Sequence, residues 1–360
     1  MQRFQLETFR SEVARSETIA HLRTIRDRAH ETLHGYPLLL DGIAWNALMN
    51  DVHDAIVAQV VALTERKLQK GGLATPEATP YAFLLFGSGG RREQTLWSDQ
   101  DNGLVYADPE DGQETEAERY YEQFGAALVE GLEEAGYPRC EGDVVCTNPA
   151  WRKPLSAWIG TLRSWLTEPD WEHMRYLLIV ADMRCFAGDD KLAAAIRAYL
   201  LAYVNEHRDI LEHLLHNTLH RKVSLGPFGQ LIRERYGEDA GGVDIKYGSY
   251  IPLVNAIRLL AIAHGIGATS TVGRIEALGA ACPDKAGEMR AWEKALEINL
   301  RLRSLTPFQL EDGRYTSRGK LAATDLTKER KHDLKQCLKI GTQLQRYVNT
   351  HIREAIEKGE

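Results

Sequence analysis

The chain has 360 residues and a formal net charge of −7 at pH 7. That length can bury a sizeable core and hold two or three domains, and no apolar run is long enough to span a membrane. The acidic balance argues against nucleic acid as a partner, because phosphate neutralisation needs a basic face. Five cysteines (Cys140, Cys146, Cys185, Cys282 and Cys337) form no CxxC pair, so reduced thiols and a cytoplasmic location are expected.

The N-terminal segment "MQRFQLETFRSEVARSET" is charged and lacks the apolar core of a leader peptide. Residues 1 to about 70 read as helical. Ile19, Leu22, Ile25 and Ala29 recur at helical spacing, and Leu48, Val52, Ile56, Val60 and Leu63 repeat the pattern. "GGLATPEATP" then breaks it with two glycines and two prolines and reads as a linker.

The next segment changes character. "YAFLLFG" is a short apolar run ending at glycine, which predicts a buried strand, and "DNGLVYAD" predicts a second. An acidic connection leads into the predicted helix "RYYEQFGAALVEGLEEAG". "YPRCEGDVVCTN" is a candidate third strand, with Cys140 and Cys146 as small apolar residues in it. From about Pro154 helices return: "PLSAWIGTLRSWLTE", one long pattern from Lys191 to Val223, then "SYIPLVNAIRLLAIAHGIG", "KAGEMRAWEKALEINLRLRSL" and "TKERKHDLKQCLKIGTQLQRYVNTHIREAIEK". The expected fold class is α+β and mostly helical. An N-terminal helical region (1–75) precedes a small α/β core (76–190) and a C-terminal helical domain (191–360).

Between the first two strands lies "FGSGGRREQTLWSDQDNGLVY". Gly87, Ser88, Gly89 and Gly90 let a backbone approach a ligand closely and offer N–H groups to anionic oxygens. "RREQTL" is expected to begin a helix whose N-terminus favours negative charge, with Arg91 or Arg92 near enough to join. Asp99 and Asp101 are two apart at the start of a strand and so share a face. Two such carboxylates repel unless a cation neutralises them. A few carboxylates plus substrate phosphates are the usual way to hold Mg²⁺. Either half alone is ordinary turn chemistry; together, between two strands, they point to attack on a nucleotide phosphate.

This stretch resembles the polymerase-β-like nucleotidyltransferase superfamily, whose signature is a strand, Gly-Ser, a short helix and Asp-x-Asp on the next strand. Within it, "GSGGRREQTLWSDQDNGLVY" is similar to a bacterial branch related to the PII uridylyltransferase and often fused to CBS domains. No CBS-like segment occurs in this sequence. The likeness continues more weakly through "NPAWRKPLSAW", "DMRCFAGDDKL" and "GGVDIKYGSYIPLVNAIRLLAIAHGI". It implies a Mg²⁺-dependent transferase using a nucleoside triphosphate, UTP or ATP. Asp99 and Asp101 would be the metal ligands and catalytic acids, with Gly87 to Gly90 and Arg91 around the phosphates. The acceptor hydroxyl is unassigned, a regulatory protein being one candidate and a small molecule another. A third carboxylate usually completes such a site as the base. Asp143 is the first choice on the expected third strand, Glu141 shares its face, and Asp182 is the rival. A non-catalytic nucleotide sensor is the alternative reading.

Other features read as structural. His213, His216 and His220 lie on one helix face without accompanying carboxylates, a solvated or interface stripe. His53-Asp54 and the His-Asp pair in "KHDLK" lack the further ligands of a phosphohydrolase. Arg152, Lys153 and Lys246 could reach a phosphate or acceptor but default to solvated cations.

Overall fold

The structure is a computed structural model and describes residues 4–34, 41–73, 79–220, 223–226, 229–311 and 314–358. Part of the expected linker, residues 74–78, lies outside them. Three helices open the chain: α1 (Leu6–Ala14), α2 (Ile19–Leu33) and α3 (Gly42–Lys70). Thr18 caps α2 through the His21 N–H at 3.2 Å, and Asp41 caps α3 through the Ala44 N–H at 2.8 Å.

Next come β1 (Tyr81–Leu85), α4 (Gly87–Arg91), β2 (Asn102–Tyr106), α5 (Glu114–Glu134), β3 (Arg152–Pro154), α6 (Leu155–Thr167), α7 (Trp171–Val180) and β4 (Arg184–Gly188). The helices α8 (Asp190–Glu206), α9 (Ile210–Leu219), α10 (Ile251–Ala263), α11 (Thr271–Ala281), α12 (Ala286–Ser304) and α13 (Lys328–Lys358) complete the described part, with two small antiparallel strand pairs. The architecture is the mostly helical α+β class read from the sequence. None of the described helices is long and apolar enough to cross a membrane.

The strand order is β3-β2-β1-β4; β1 is antiparallel to both neighbours and β3 is parallel to β2. Every residue of β1 and β2 is buried. Alternation along these strands divides the side chains between two cores. Ala82, Leu84 and Val105 join the core built by the helices from α6 onward. Tyr81, Phe83, Leu85, Leu104 and Tyr106 join the core made by α1, α2, α3 and α5. The sheet is thus a wall between two helical layers. The layers also meet directly: Gly42 at the start of α3 packs on the α12 backbone at Glu297 and donates its N–H to that carboxylate at 3.0 Å.

Three sequence expectations change. The segment "YPRCEGDVVCTN" forms no strand; it is a turn, held to β2 where the Asn102 N–H donates to the Val144 carbonyl at 2.9 Å. The short Arg152–Pro154 strand sits beside β2 instead. "RREQTL" begins no helix, because Arg92 is left-handed, at φ +57°, and ends the helical turn that the glycines themselves make. The long pattern after Lys191 breaks at His207, whose non-helical backbone separates α8 from α9. The edge strand β4 has no apolar alternation to announce it; its residues are half-buried or exposed.

Gly90 shows how tightly the turn is packed. A Cβ there would overlap the Asp182 carbonyl and come within 2.7 Å of the Leu85 carbonyl. Both obstacles are backbone, so nothing can swing aside. Gly90→Ala is expected to destabilise the fold by about 1–3 kcal/mol, read as a lower urea midpoint at unchanged slope. A wild-type midpoint would mean the turn is looser than this packing.

Candidate active site

The site grows from the junction of β1 and β2. Phe86 donates its N–H to the Asp101 carbonyl at 3.0 Å, which extends the strand pairing by one residue. Gly87 then turns the chain with φ +50°, and a Cβ on it would lie 2.5 Å from Asp101 Oδ2. Glycine is required twice there, for the backbone angle and for the carboxylate packed on it. The turn closes as Gly90 donates to the Phe86 carbonyl at 2.8 Å and Glu93 to the Ser88 carbonyl at 2.8 Å. The first N–H groups of such a turn have no intrahelical acceptor.

Asp99 and Asp101 precede β2 rather than beginning it. Gln100 between them points inward, donating to the carbonyls of Tyr137 at 2.9 Å and Val129 at 3.3 Å. The two aspartates therefore share the other face. Asp99 is exposed and Asp101 half-buried. Burial first, then Asp99, pushes the Asp101 carboxyl up to about 6. The Cys140 thiol, which hydrogen-bonds Asp101, and the cations Lys246 and Arg91 draw it part of the way back. A strained pair of acids beside a close-approach glycine is what a bound cation would relieve.

Arg91 and Arg92 leave this turn in opposite directions. The Arg91 guanidinium is buried and donates to Asp182 at 2.5 Å, Glu93 at 2.9 Å and the Tyr250 hydroxyl at 3.1 Å. It holds the turn from behind, in place of the phosphate-facing role expected of it. Arg92 reaches back to α3, pairing with Asp51 at 2.7 Å and Asp54 at 2.8 Å. Asp54 also binds Arg184 at 2.8 Å, and Arg184 donates to the Gly89 carbonyl at 3.0 Å. His53 bridges the Thr95 carbonyl and the Tyr137 hydroxyl inside the core. The His53-Asp54 pair is therefore structural, as read.

The three candidates for a third carboxylate fall elsewhere. Asp182 is fully buried; Arg91 and Arg258 donate to one oxygen and Arg274 to the other, at 2.5, 2.6 and 2.8 Å. It cannot accept a proton from a substrate there. Asp143 sits in the turn at φ +50°, exposed, and accepts from Asn148 Nδ2 at 3.0 Å. Without the expected strand, the period that paired it with Glu141 disappears, and Glu141 is exposed on the same turn. Among the described residues no set of three His, Cys, Asp or Glu side chains is arranged to hold a metal.

Two family models match the chain. One, described as "Putative nucleotidyltransferase DUF294", covers residues 41–172, and the other, "Putative nucleotidyltransferase substrate binding domain", covers residues 208–352. The chain belongs to this nucleotidyltransferase family. No curated protein matches it. The first match contains the glycine turn and both aspartates of this family member, and also α3 with Asp51 and Asp54.

Arg152, Lys153 and Asp333 are engaged in structure. Arg152 donates to the carbonyls of Cys146 and Thr147, and Lys153 to the Thr161 hydroxyl at 2.6 Å. In "KHDLK", Asp333 binds Arg301 at 2.7 Å. His213, His216 and His220 line an open groove of about 550 Å³ with Trp171. Neither Asp99, Asp101 nor any residue of the glycine turn lines this groove. Sequence reasoning missed Glu93, which lies within the site stretch itself, and Tyr250, Arg258 and Arg274, which lie in unremarkable helical patterns; the fold alone joins them.

Asp182 makes a pH test. Burial alone would raise its carboxyl, but Arg258, Arg91 and Arg274 outweigh it and hold it at about 2. A depressed carboxyl stabilises the fold fully above its ordinary value near 4 and loses that contribution as pH falls toward 2. Asp182→Asn is expected to cost about 3–5 kcal/mol at neutral pH and to flatten the acid limb of the stability curve, since it strands three guanidiniums. Urea unfolding between pH 2 and 7 measures both; a mutant with the wild-type acid limb would refute the assignment.

Proposed function

We propose that this protein is a Mg²⁺-dependent nucleotidyltransferase that moves a nucleoside monophosphate from a triphosphate to an acceptor hydroxyl. The observation that supports it most is the packing of Asp101 on Gly87, which sets a carboxylate pair against a glycine turn whose first N–H groups have no intrahelical acceptor. Asp99 and Asp101 suit an ion held by two carboxylates, substrate phosphates and water, and do not suit a cage made of protein ligands alone. The metal would supply charge neutralisation at the phosphates.

The chain's own contributions follow from the geometry. Ser88 and the Gly87–Gly90 backbone would receive phosphate oxygens. Behind the turn, four buried guanidiniums (Arg91, Arg258, Arg274 and Arg303) face two buried carboxylates, Glu93 and Asp182. That excess of positive charge favours a polyanion at the turn. Transfer would proceed by attack of the acceptor oxygen on the α-phosphate, with pyrophosphate leaving and the hydroxyl proton going to a base or water.

The exposure of Asp143 and Glu141 and the commitment of Asp182 favour a second reading, a nucleotide sensor without a general base. Two measurements separate the readings. Mg²⁺-dependent binding of ATP or UTP is expected in both, and Asp99→Asn or Asp101→Asn should each weaken it at least tenfold. Pyrophosphate release and transfer of an α-labelled phosphate to a component of a cell extract are expected only for the transferase. Binding without any transfer would leave the sensor. Full Mg²⁺-dependent binding by either mutant would remove the site assignment itself.

A further inference from the structure

We propose that Lys246, which the helical C-terminal region supplies, is a polyphosphate-binding residue of this site and makes it select triphosphates over monophosphates. This rests on the nucleotide reading above.

Lys246 opens a π-helical turn, Lys246–Tyr250, just before α10. Such turns are rare and gather at functional sites. The start of the turn is anchored: the N–H groups of Ile245 and Lys246 both donate to the Gly319 carbonyl, at 3.0 and 3.1 Å. Gly319 has φ +68°, and a Cβ on it would come 2.5 Å from the Lys246 Cβ. The end of the turn is anchored too. Tyr250 is buried, accepts from Arg91 at 3.1 Å and donates to Glu93. Arg91 is the last residue of the glycine helix α4. One π turn, roughly the 5 Å of a helical pitch, therefore separates Lys246 from a residue bonded to the phosphate-facing turn.

The side chain is placed accordingly. Its turn is docked through Tyr250 on Arg91, and Lys246 and Arg91 are the two cations that draw the Asp101 carboxyl down. Lys246 is half-buried, and among the described residues it makes no ion pair; the ammonium lies 5.2 Å from the centre of the Tyr247 ring. The turn that carries this lysine is clamped at both ends, on Gly319 and through Tyr250. With Asp99 and Asp101 engaged by a cation, the Lys246 ammonium would be left for phosphate oxygens of a bound substrate. Lysine serves this purpose as a point charge.

The test uses the full chain and calorimetric titration with ATP, UTP, AMP and UMP in the presence of Mg²⁺. Lys246→Met keeps the apolar stem against Gly319 and removes the charge. It is expected to weaken triphosphate binding about tenfold or more, the range of a charge-assisted hydrogen bond, and to leave monophosphate binding unchanged. Lys246→Arg should recover most of the lost affinity. An unchanged thermal midpoint would accompany both, since the backbone anchors remain. Wild-type triphosphate affinity in Lys246→Met, or an equal loss for mono- and triphosphates, overturns this proposal alone. Absence of triphosphate binding by the wild type overturns the functional reading and this proposal with it.

Discussion

One buried carboxylate organises the centre of this protein. Asp182 lies between α7 and β4 and takes hydrogen bonds from Arg91, Arg258 and Arg274, which come from the glycine turn, α10 and α11. Removing an aspartate and three arginines from water is costly, and the ion pairs offset that cost only because the geometry is satisfied from three sides. The arrangement yields specificity of placement more than stability.

Glu93 extends the same network. Its carboxylate takes hydrogen bonds from Arg91, Tyr250 and the Thr271 N–H, the last at 2.9 Å, at the start of α11. Burial would raise the carboxyl, but Arg91 and these bonds hold it below its ordinary value. Arg303 from α12 lies 4.0 Å from the centre of the Tyr250 ring and donates to the Glu93 carbonyl. On the opposite side, Arg92 and Arg184 tie the turn to Asp51 and Asp54 of α3. The five-residue glycine turn is thus held by both helical layers. Pre-organised N–H groups and carboxylates need no rearrangement when charge arrives.

Much of this was legible in the sequence where the signal is local. The periodicities of α2, α3, α5, α10, α12 and α13 survive in the fold, because an amphipathic stripe depends on residues three and four apart. The continuous apolar runs of β1 and β2 read as buried strands because both faces are covered. The pairing of Asp99 with Asp101 followed from two-residue alternation, and Gln100 pointing inward is its physical complement. Where strands are short or at an edge the signal fails. "DVVC" is apolar but packs as a turn, and β4 forms because β1 leaves an unpaired edge for it.

The sequence by itself determined most of the helices, the two central strands, the glycine turn and the two spaced carboxylates, since each is set by residues within a few positions of one another. Only the tertiary structure decided which charges belong to the site. Arg91 looked like a phosphate ligand and Asp182 a candidate base, yet the two are ninety-one positions apart and bond to each other in the interior. Lys246 looked like a solvated cation, and only the fold shows that its turn is docked through Tyr250 on Arg91. Those roles depend on burial and on partners distant in the chain, and neither is written in local pattern.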